Sequence, residues 1–239
     1  MDSVAFSVSF AAISAAVFLL ARQFDKRILV TLAFLCAIYL AADDLVTGLP
    51  SIVPSLDILG GSKNWTGKLF SLALSAAVIA RLGLSPYAVG LTFKQRHTRI
   101  GLFAILFFIV WGTCLGLLFK PGTPNEEILA FQATMPGLSE ELVYRGIAPA
   151  LLLGLLHHKG PTSDIPWAVI LATSVVFGVW HGLSYSSGQF GFDVMSALFP
   201  FIGSIPGGWL RFKTGSLVFP VLAHSLANVA FHVAGGLGT

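Results

Sequence analysis

The chain has 239 residues, of which 55% are hydrophobic and only 10% charged, and its mean hydropathy is +0.83. Soluble domains carry roughly 25% charged residues, so this composition excludes an ordinary soluble protein and indicates an integral membrane protein. The net charge is +3, but the longest basic cluster, at residues 94–99, is short and separates two apolar segments. We therefore expect no nucleic-acid partner and assign the basic residues to loops beside a lipid bilayer.

Apolar runs along the chain predict an all-α, polytopic membrane protein with about eight transmembrane helices, since a bilayer core requires roughly 20 apolar residues per helix. The runs cover residues 4–21, 28–42, 69–84, 100–119, 138–156, 167–183, 190–210 and 217–234. The first run lacks the basic leader and cleavage site of a secretory signal, which predicts a retained span. No repeat or linker divides the chain. We predict a single transmembrane domain over residues 1–239, with four spans in 1–120 and four in 121–239.

The distribution of lysine and arginine predicts the orientation of these spans. Most of these residues fall in loops on one side, and the opposite side carries only Lys63, Lys68 and Lys120. Cytoplasmic loops are enriched in basic residues, so both termini are predicted to be extracytoplasmic. His157 and His158 fall in a short cytoplasmic loop, where we expect them to be solvated.

Ionisable residues within the apolar runs need an explanation, because a charge at the bilayer centre costs about 2.5 kcal/mol or more. At the start of the fifth run, Glu141 and Arg145 are four residues apart and can pair on one helix face. Ser139 is the predicted N-cap of that helix. A capped helix start with an ion pair is one interpretation of this motif. It leaves Glu140 without a partner nearby in the sequence.

Further polar residues fall in the later runs. Phe177 precedes His181 at the end of the sixth run, where a histidine taken singly can be interpreted as an interfacial residue. His224 and Asn228 are one turn apart in the eighth run and so share a helix face, and His232 follows another turn along. The predicted topology brings these residues and the glutamates to a similar depth, in the outer half of the membrane. We infer that three helices form one polar pocket.

The residue types in this pocket suit hydrolysis of an acyl bond. A glutamate beside a histidine can polarise and deprotonate a water molecule. A second histidine with an asparagine on the same helix face offers donors for a developing oxyanion. Cys36 and Cys114 show no metal or redox spacing, and we predict that both are buried apolar residues.

The three motifs resemble a known family. Glu-Glu-x-x-x-Arg at 140–145, Phe-x-x-x-His at 177–181 and His-x-x-x-Asn at 224–228 look like the motifs of the CPBP family. That family includes the type II CAAX prenyl endopeptidases and bacteriocin-processing or immunity-associated membrane proteins. The resemblance, which covers residue 138 to the C-terminus, implies a glutamic-type intramembrane protease. It implies that Glu140 and His181 activate the water, that His224 and Asn228 stabilise the oxyanion, and that Glu141, Arg145 and Phe177 support the site.

The family has also been described as metalloproteases, in which Glu140, His181 and His224 would bind zinc. We favour a site without a metal or other cofactor, because the chain has no His-Glu-x-x-His motif and zinc would leave Asn228 without a role. The resemblance implies a membrane-anchored peptide or protein as the substrate. Prenylated CAAX proteins mature on the cytoplasmic face, whereas the pocket is predicted to face outward. We therefore expect a prokaryotic plasma-membrane enzyme that acts near the extracytoplasmic surface.

Two other functions remain open from the sequence. Ionisable residues within spans are also typical of transporters and channels, although here they cluster toward one face instead of forming a relay across the membrane. A non-catalytic scaffold or immunity protein is the second alternative. The intact motifs favour the protease over both.

Overall fold

The structure is a computed structural model that describes residues 2–156 and 164–238, and helices dominate it. The α-helices are α1 (Asp2–Ala21), α2 (Val30–Ile52), α3 (Trp65–Leu82), α4 (Pro86–Val89), α5 (Thr98–Phe119), α6 (Glu126–Glu141), α7 (Ala148–Leu152), α8 (Trp167–Gly182), α9 (Val194–Thr214) and α10 (Val218–Gly235). Short 3-10 turns cover Pro54–Leu56 and Gly236–Gly238, and a π-helical segment covers Leu142–Ile147. The predicted all-α membrane class is confirmed.

A β-hairpin that the hydropathy pattern did not predict connects α8 to α9. Strand β1 (Leu183–Ser186) pairs antiparallel with β2 (Gln189–Phe192). The two residues between the strands, Ser187 and Gly188, both have positive φ angles, of 53° and 81°. A two-residue type I′ turn requires that geometry, which glycine adopts readily.

Within the described residues, five helices are long and apolar enough to cross a membrane: α1, α2, α3, α5 and α10. Helix α8 is shorter, at 16 residues, and the glutamate-bearing segment is divided between α6, the π-helical turn and α7. The expected count of about eight spans therefore stays a prediction.

Contacts between connections show that the bundle has two distinct ends. At one end, the backbone N–H of Leu217 donates to the carbonyl of Gly90 at 2.9 Å. At the other end, Glu127 accepts a hydrogen bond from the backbone N–H of Ser62 at 2.8 Å. We name the first the basic end and the second the hairpin end. The basic end comprises residues 22–29, 83–97 and 215–217, and the hairpin end comprises residues 53–64, 120–125 and 183–193.

The helix that carries the glutamates begins earlier than predicted. Asn125 is its N-cap, and the Asn125 side chain accepts from the backbone N–H of Ile128 at 2.8 Å. The prediction that Ser139 caps this helix is wrong, because Ser139 lies inside α6 and donates to the Met135 carbonyl at 2.9 Å. The first turns of α6 are too polar for a hydropathy window to recognise as part of a span.

The π-helical turn follows directly after Glu141. It ends where the backbone N–H of Ala148 donates to the carbonyl of Val143, five residues earlier. The next residue, Pro149, has no N–H and cannot donate to the carbonyl four residues before it. π-turns within helices often mark functional sites, and this one carries Arg145.

Two other predictions need correction. Cys36 is buried as expected, but the prediction that Cys114 is buried is wrong, because Cys114 is exposed. A thiol behaves as a small apolar group, so a position that faces lipid can accommodate it. The seventh run does not begin as a helix at residue 190, because residues 189–192 pair with β1 and helix α9 starts at Val194. His157 and His158 lie outside the described residues.

Candidate active site

The two adjacent glutamates point to different partners. Both are buried, with 8% of Glu140 and 2% of Glu141 exposed. The structure contains the predicted ion pair, in which Arg145 Nη1 lies 3.2 Å from Glu141 Oε1. Glu140 Oε1 instead accepts a hydrogen bond from the ammonium group of Lys68 at 2.7 Å. The glutamate that had no partner nearby in the sequence therefore has one from α3.

His224 lies between the two carboxylates. Its Nδ1 atom is 2.8 Å from Glu141 Oε1, and its Nε2 atom is 3.9 Å from Glu140 Oε2. A carboxylate paired with an arginine can only accept hydrogen bonds, so His224 Nδ1 carries the proton of this contact. The second ring nitrogen is left facing Glu140.

His181 makes a different kind of hydrogen bond. Its Nδ1 atom lies 2.9 Å from the carbonyl oxygen of Phe177, one turn earlier in α8. A carbonyl can only accept, so Nδ1 is the donor, and Nε2 of the neutral ring is an acceptor. His181 lies in the last turn of α8, and its side chain is exposed to the cavity described below.

Phe177 packs the charged and aromatic groups of the site together. The Arg145 guanidinium lies 4.3 Å from the centre of its ring, a cation-π contact. The ring centroid is 4.4 Å from that of His181 and 6.5 Å from that of His224. Because Phe177 is 4% exposed, we assign it to the packing of the site.

Asn228 is held by a residue of α6. Its Nδ2 atom donates to Gln132 Oε1 at 3.0 Å. Asn228 follows His224 by one turn on the same face of α10, and both line the cavity. The predicted placement of these two residues on a common face is confirmed.

A single cavity of about 610 Å³ is lined by all seven predicted site residues. They are Glu140, Glu141, Arg145, Phe177, His181, His224 and Asn228. Its volume is within the range of ligand sites, about 300–1,000 Å³. A largely aromatic wall, formed in part by Phe108, Trp111, Phe199 and Phe231, lies beside these polar groups. The cavity can hold an apolar chain next to the polar cluster.

Lys68 and Gln132 were missing from the predicted site. We placed Lys68 in a loop, which is wrong, because it lies in the first turn of α3 and is 8% exposed. A lysine directly before an apolar run on the side poor in basic residues was the available signal. Gln132 lies in the part of α6 that hydropathy did not identify, so the sequence held no comparable signal for it.

A zinc ion held by Glu140, His181 and His224 would share the Glu140 carboxylate with Lys68. The Lys68 ammonium occupies one oxygen of Glu140, and a second cation on that carboxylate would be repelled. Across residues 2–156 and 164–238, no three His, Cys, Asp or Glu side chains are grouped to hold a metal ion.

Comparison with known proteins bears on the half of the chain that carries the motifs. A family model described as type II CAAX prenyl endopeptidase Rce1-like matches residues 127–230. The matched segment contains every predicted site residue, and Lys68 lies outside it. Comparison with curated proteins and with solved structures finds no match to the chain. The resemblance given by the three motifs is confirmed, because residues 127–230 match the Rce1-like type II CAAX prenyl endopeptidase family.

Proposed function

We propose that this protein is an intramembrane endopeptidase that hydrolyses a peptide bond of a membrane-anchored protein or peptide without a metal. The observation that supports this most is the grouping, in one cavity, of a carboxylate with one oxygen outside the Lys68 pair, an imidazole acceptor and a carboxylate-paired histidine. These are the parts required to activate water and to stabilise an oxyanion.

Glu140 and His181 activate the water. Lys68 holds Glu140 Oε1, which leaves Oε2 as an acceptor, and His181 Nε2 is a second acceptor at the same cavity. A water that donates to either atom is aligned to attack the substrate carbonyl carbon. As its oxygen bonds to that carbon, the proton passes to the acceptor. The same proton is later delivered to the amine when the carbon–nitrogen bond breaks.

His224 and Asn228 stabilise the negative charge that develops on the carbonyl oxygen. His224 Nδ1 lies 2.8 Å from Glu141 Oε1, which orients the ring in the cavity, and Nε2 is a donor when both ring nitrogens carry a proton. Asn228 has a second N–H beyond the one given to Gln132. Two donors in a water-poor cavity stabilise an oxyanion more strongly than they would in water.

The proposed site faces the extracytoplasmic side. Lys68 lies in the first turn of α3 and His181 in the last turn of α8, so both lie toward the hairpin end. The opposite end carries most of the basic residues, and the positive-inside rule therefore predicts that it is cytoplasmic. We therefore propose a prokaryotic plasma-membrane enzyme with both termini outside. Its substrate is an exported, membrane-anchored protein, and the aromatic wall of the cavity contacts an apolar segment beside the cleaved bond.

A comparison of membrane proteomes tests the reaction. Cells that express the wild-type protein are compared with cells that express Glu140→Gln or Asn228→Ala, and terminal segments of membrane proteins are quantified. We expect at least one protein to lose a terminal segment only with the wild type. Identical proteomes, with both variants folded and inserted, would contradict the protease. A wild-type proton flux in vesicles that Glu140→Gln abolishes would favour a transporter instead.

Cysteine labelling tests the face. In a Cys114→Ser background, Ser186→Cys places a thiol on the hairpin and Gln23→Cys places one at the basic end. Both positions are exposed. On intact cells, a membrane-impermeant maleimide is expected to label only Ser186→Cys. Labelling of Gln23→Cys alone would show that the orientation is the opposite of the one proposed. It would then favour a prenylated substrate on the cytoplasmic side.

A further inference from the structure

The ion pair between Lys68 and Glu140 joins the N-terminal half of the chain to the candidate active site. We infer that Lys68 is a positioning residue that holds Glu140 by one oxygen and leaves the other free for the water. The site would then be incomplete without α3, which lies outside the family-matched segment 127–230. The catalytic part of this inference rests on the proposed function, whereas the ion pair does not.

Lys68 does not behave as a lysine at a membrane interface usually does. Lysines near helix ends extend their charged group toward water. The Lys68 side chain is only 10% exposed, and its Nζ atom is 2.7 Å from Glu140 Oε1. The ammonium also lies 5.5 Å from the centre of a Trp180 ring. It therefore points into the protein, where it balances a carboxylate that is costly to bury alone.

The first turn of α3 is anchored to α2, and this anchoring places Lys68. Asn64 caps the helix by accepting from the backbone N–H of Gly67 at 3.0 Å, and its Nδ2 atom donates to the Thr47 carbonyl of α2 at 2.8 Å. A Cβ atom on Gly67 would collide with the same Thr47 carbonyl. Glycine at this position allows the backbone of α3 to lie directly against α2.

The two residues between Asn64 and Gly67 also form hydrogen bonds to neighbouring segments. The indole N–H of Trp65 donates to Glu127 Oε1 of α6 at 3.2 Å, and the hydroxyl of Thr66 donates to Asp57 Oδ1 at 2.7 Å. Every residue of the turn before Lys68 thus contacts a neighbouring segment. Such a turn leaves the Lys68 backbone little freedom, and a catalytic group needs support of this kind to stay within about 0.5 Å of a productive position.

The aromatic neighbour of Lys68 is held by a further hydrogen bond. The indole N–H of Trp180 donates to Asp44 Oδ1 of α2 at 2.8 Å, and the Ser7 hydroxyl of α1 donates to Asp44 Oδ2 at 2.7 Å. Trp180 directly precedes His181. The N-terminal helices therefore support both sides of the proposed water site, Glu140 through Lys68 and His181 through its neighbour Trp180.

A double-mutant cycle on the full-length protein in detergent tests the ion pair without any substrate. Thermal unfolding is measured for Lys68→Met, Glu140→Gln and the combination of the two. Each single variant leaves one buried charge or polar group without its partner, so we expect each to lower Tm, and the combination to recover much of the loss. Lys63→Met, a nearby change outside the pair, is the control and is expected to leave Tm unchanged. Additive losses in the double variant would overturn the pairing.

The positioning role is tested by turnover of the protein that the proteome comparison identifies as cleaved. We expect Lys68→Met to lower kcat by about tenfold or more with KM nearly unchanged. Lys68→Arg should restore part of the rate, because a guanidinium can also pair with Glu140. A wild-type kcat in Lys68→Met would overturn the role. If the wild type cleaves no protein, both the positioning role of Lys68 and the proposed function are contradicted. The double-mutant cycle on Tm still tests whether Lys68 and Glu140 form an ion pair.

Discussion

His224 Nδ1 lies 2.8 Å from Glu141 Oε1, and this contact distinguishes His224 from His181. His181 donates its Nδ1 proton to a neutral peptide carbonyl. The Nδ1 partner of His224 is thus a buried carboxylate, whereas that of His181 is a backbone carbonyl. In the proposed mechanism, the two histidines of one cavity have different tasks, His224 as a donor to an oxyanion and His181 as an acceptor of a proton.

Glu141→Gln is expected to damage both activity and stability. The variant keeps an acceptor for His224 but removes the charge that pairs with the buried Arg145. Breaking a buried ion pair by neutralising one partner costs about 3–5 kcal/mol. Thermal unfolding and cleavage rates of Glu141→Gln are compared with those of Glu126→Gln, an exposed glutamate at the start of the same helix. Equal stability of the two variants would contradict the pairing.

His181→Ala and His224→Ala should differ in stability although both lose activity. Among the described residues, His181 forms a hydrogen bond to Phe177 of its own helix, and it is exposed to the cavity. Its removal is therefore expected to lower kcat by about 10²-fold or more with little change in Tm. His224→Ala also removes the hydrogen bond between His224 Nδ1 and the buried Glu141 carboxylate. We therefore expect a lower Tm for that variant. The prediction fails if His181→Ala is the less stable of the two.

Asn228→Ala tests the oxyanion donor. Loss of one such donor typically lowers kcat by about 10²–10³-fold, and we expect KM to change little, because the donor acts mainly in the transition state. Gln132→Ala removes only the residue that orients Asn228, so its loss should be smaller. Steady-state kinetics on the two variants would contradict the assignment if Gln132→Ala were the more damaging.

Gly112→Ala should separate two helices that approach closely. A Cβ atom at Gly112 in α5 would overlap the carbonyl of Ala227 in α10, next to Asn228. Forcing extra atoms into a packed interface costs about 1–3 kcal/mol, and the shift of α10 is expected to lower kcat as well. Gly48→Ala is the matched control, since a Cβ there meets nothing within 4 Å. Equal Tm values for the two variants would show that the interface is not tightly packed.

Chelation tests the absence of a metal step. Because the Lys68 ammonium occupies an oxygen of Glu140, we expect purified protein to keep its cleavage rate after dialysis against EDTA and a stronger zinc chelator. Elemental analysis should find zinc well below one ion per chain. A loss of activity that added zinc restores would contradict the proposed mechanism.

Part of the candidate site was predictable because helical spacing is local. Glu141 and Arg145, four residues apart, form the expected ion pair, and His224 and Asn228 share the expected face of α10. The start of α6 was not predictable from hydropathy. Its first turns carry two glutamates and a glutamine, and these residues lower the mean hydropathy of the segment to a value typical of a loop. For the same reason, Ser139 was assigned as a cap when it lies within the helix.

The sequence by itself determined that the chain is a helical membrane protein, and it identified seven of the residues that line its cavity. Composition, span length and motif spacing depend on neighbours along the chain, and those are visible in the sequence. Only the tertiary structure decided the partners of these residues. Lys68 and Glu140 are 72 positions apart, and His224 and Glu141 are 83 positions apart. Such contacts depend on how helices pack against one another, which no local pattern encodes.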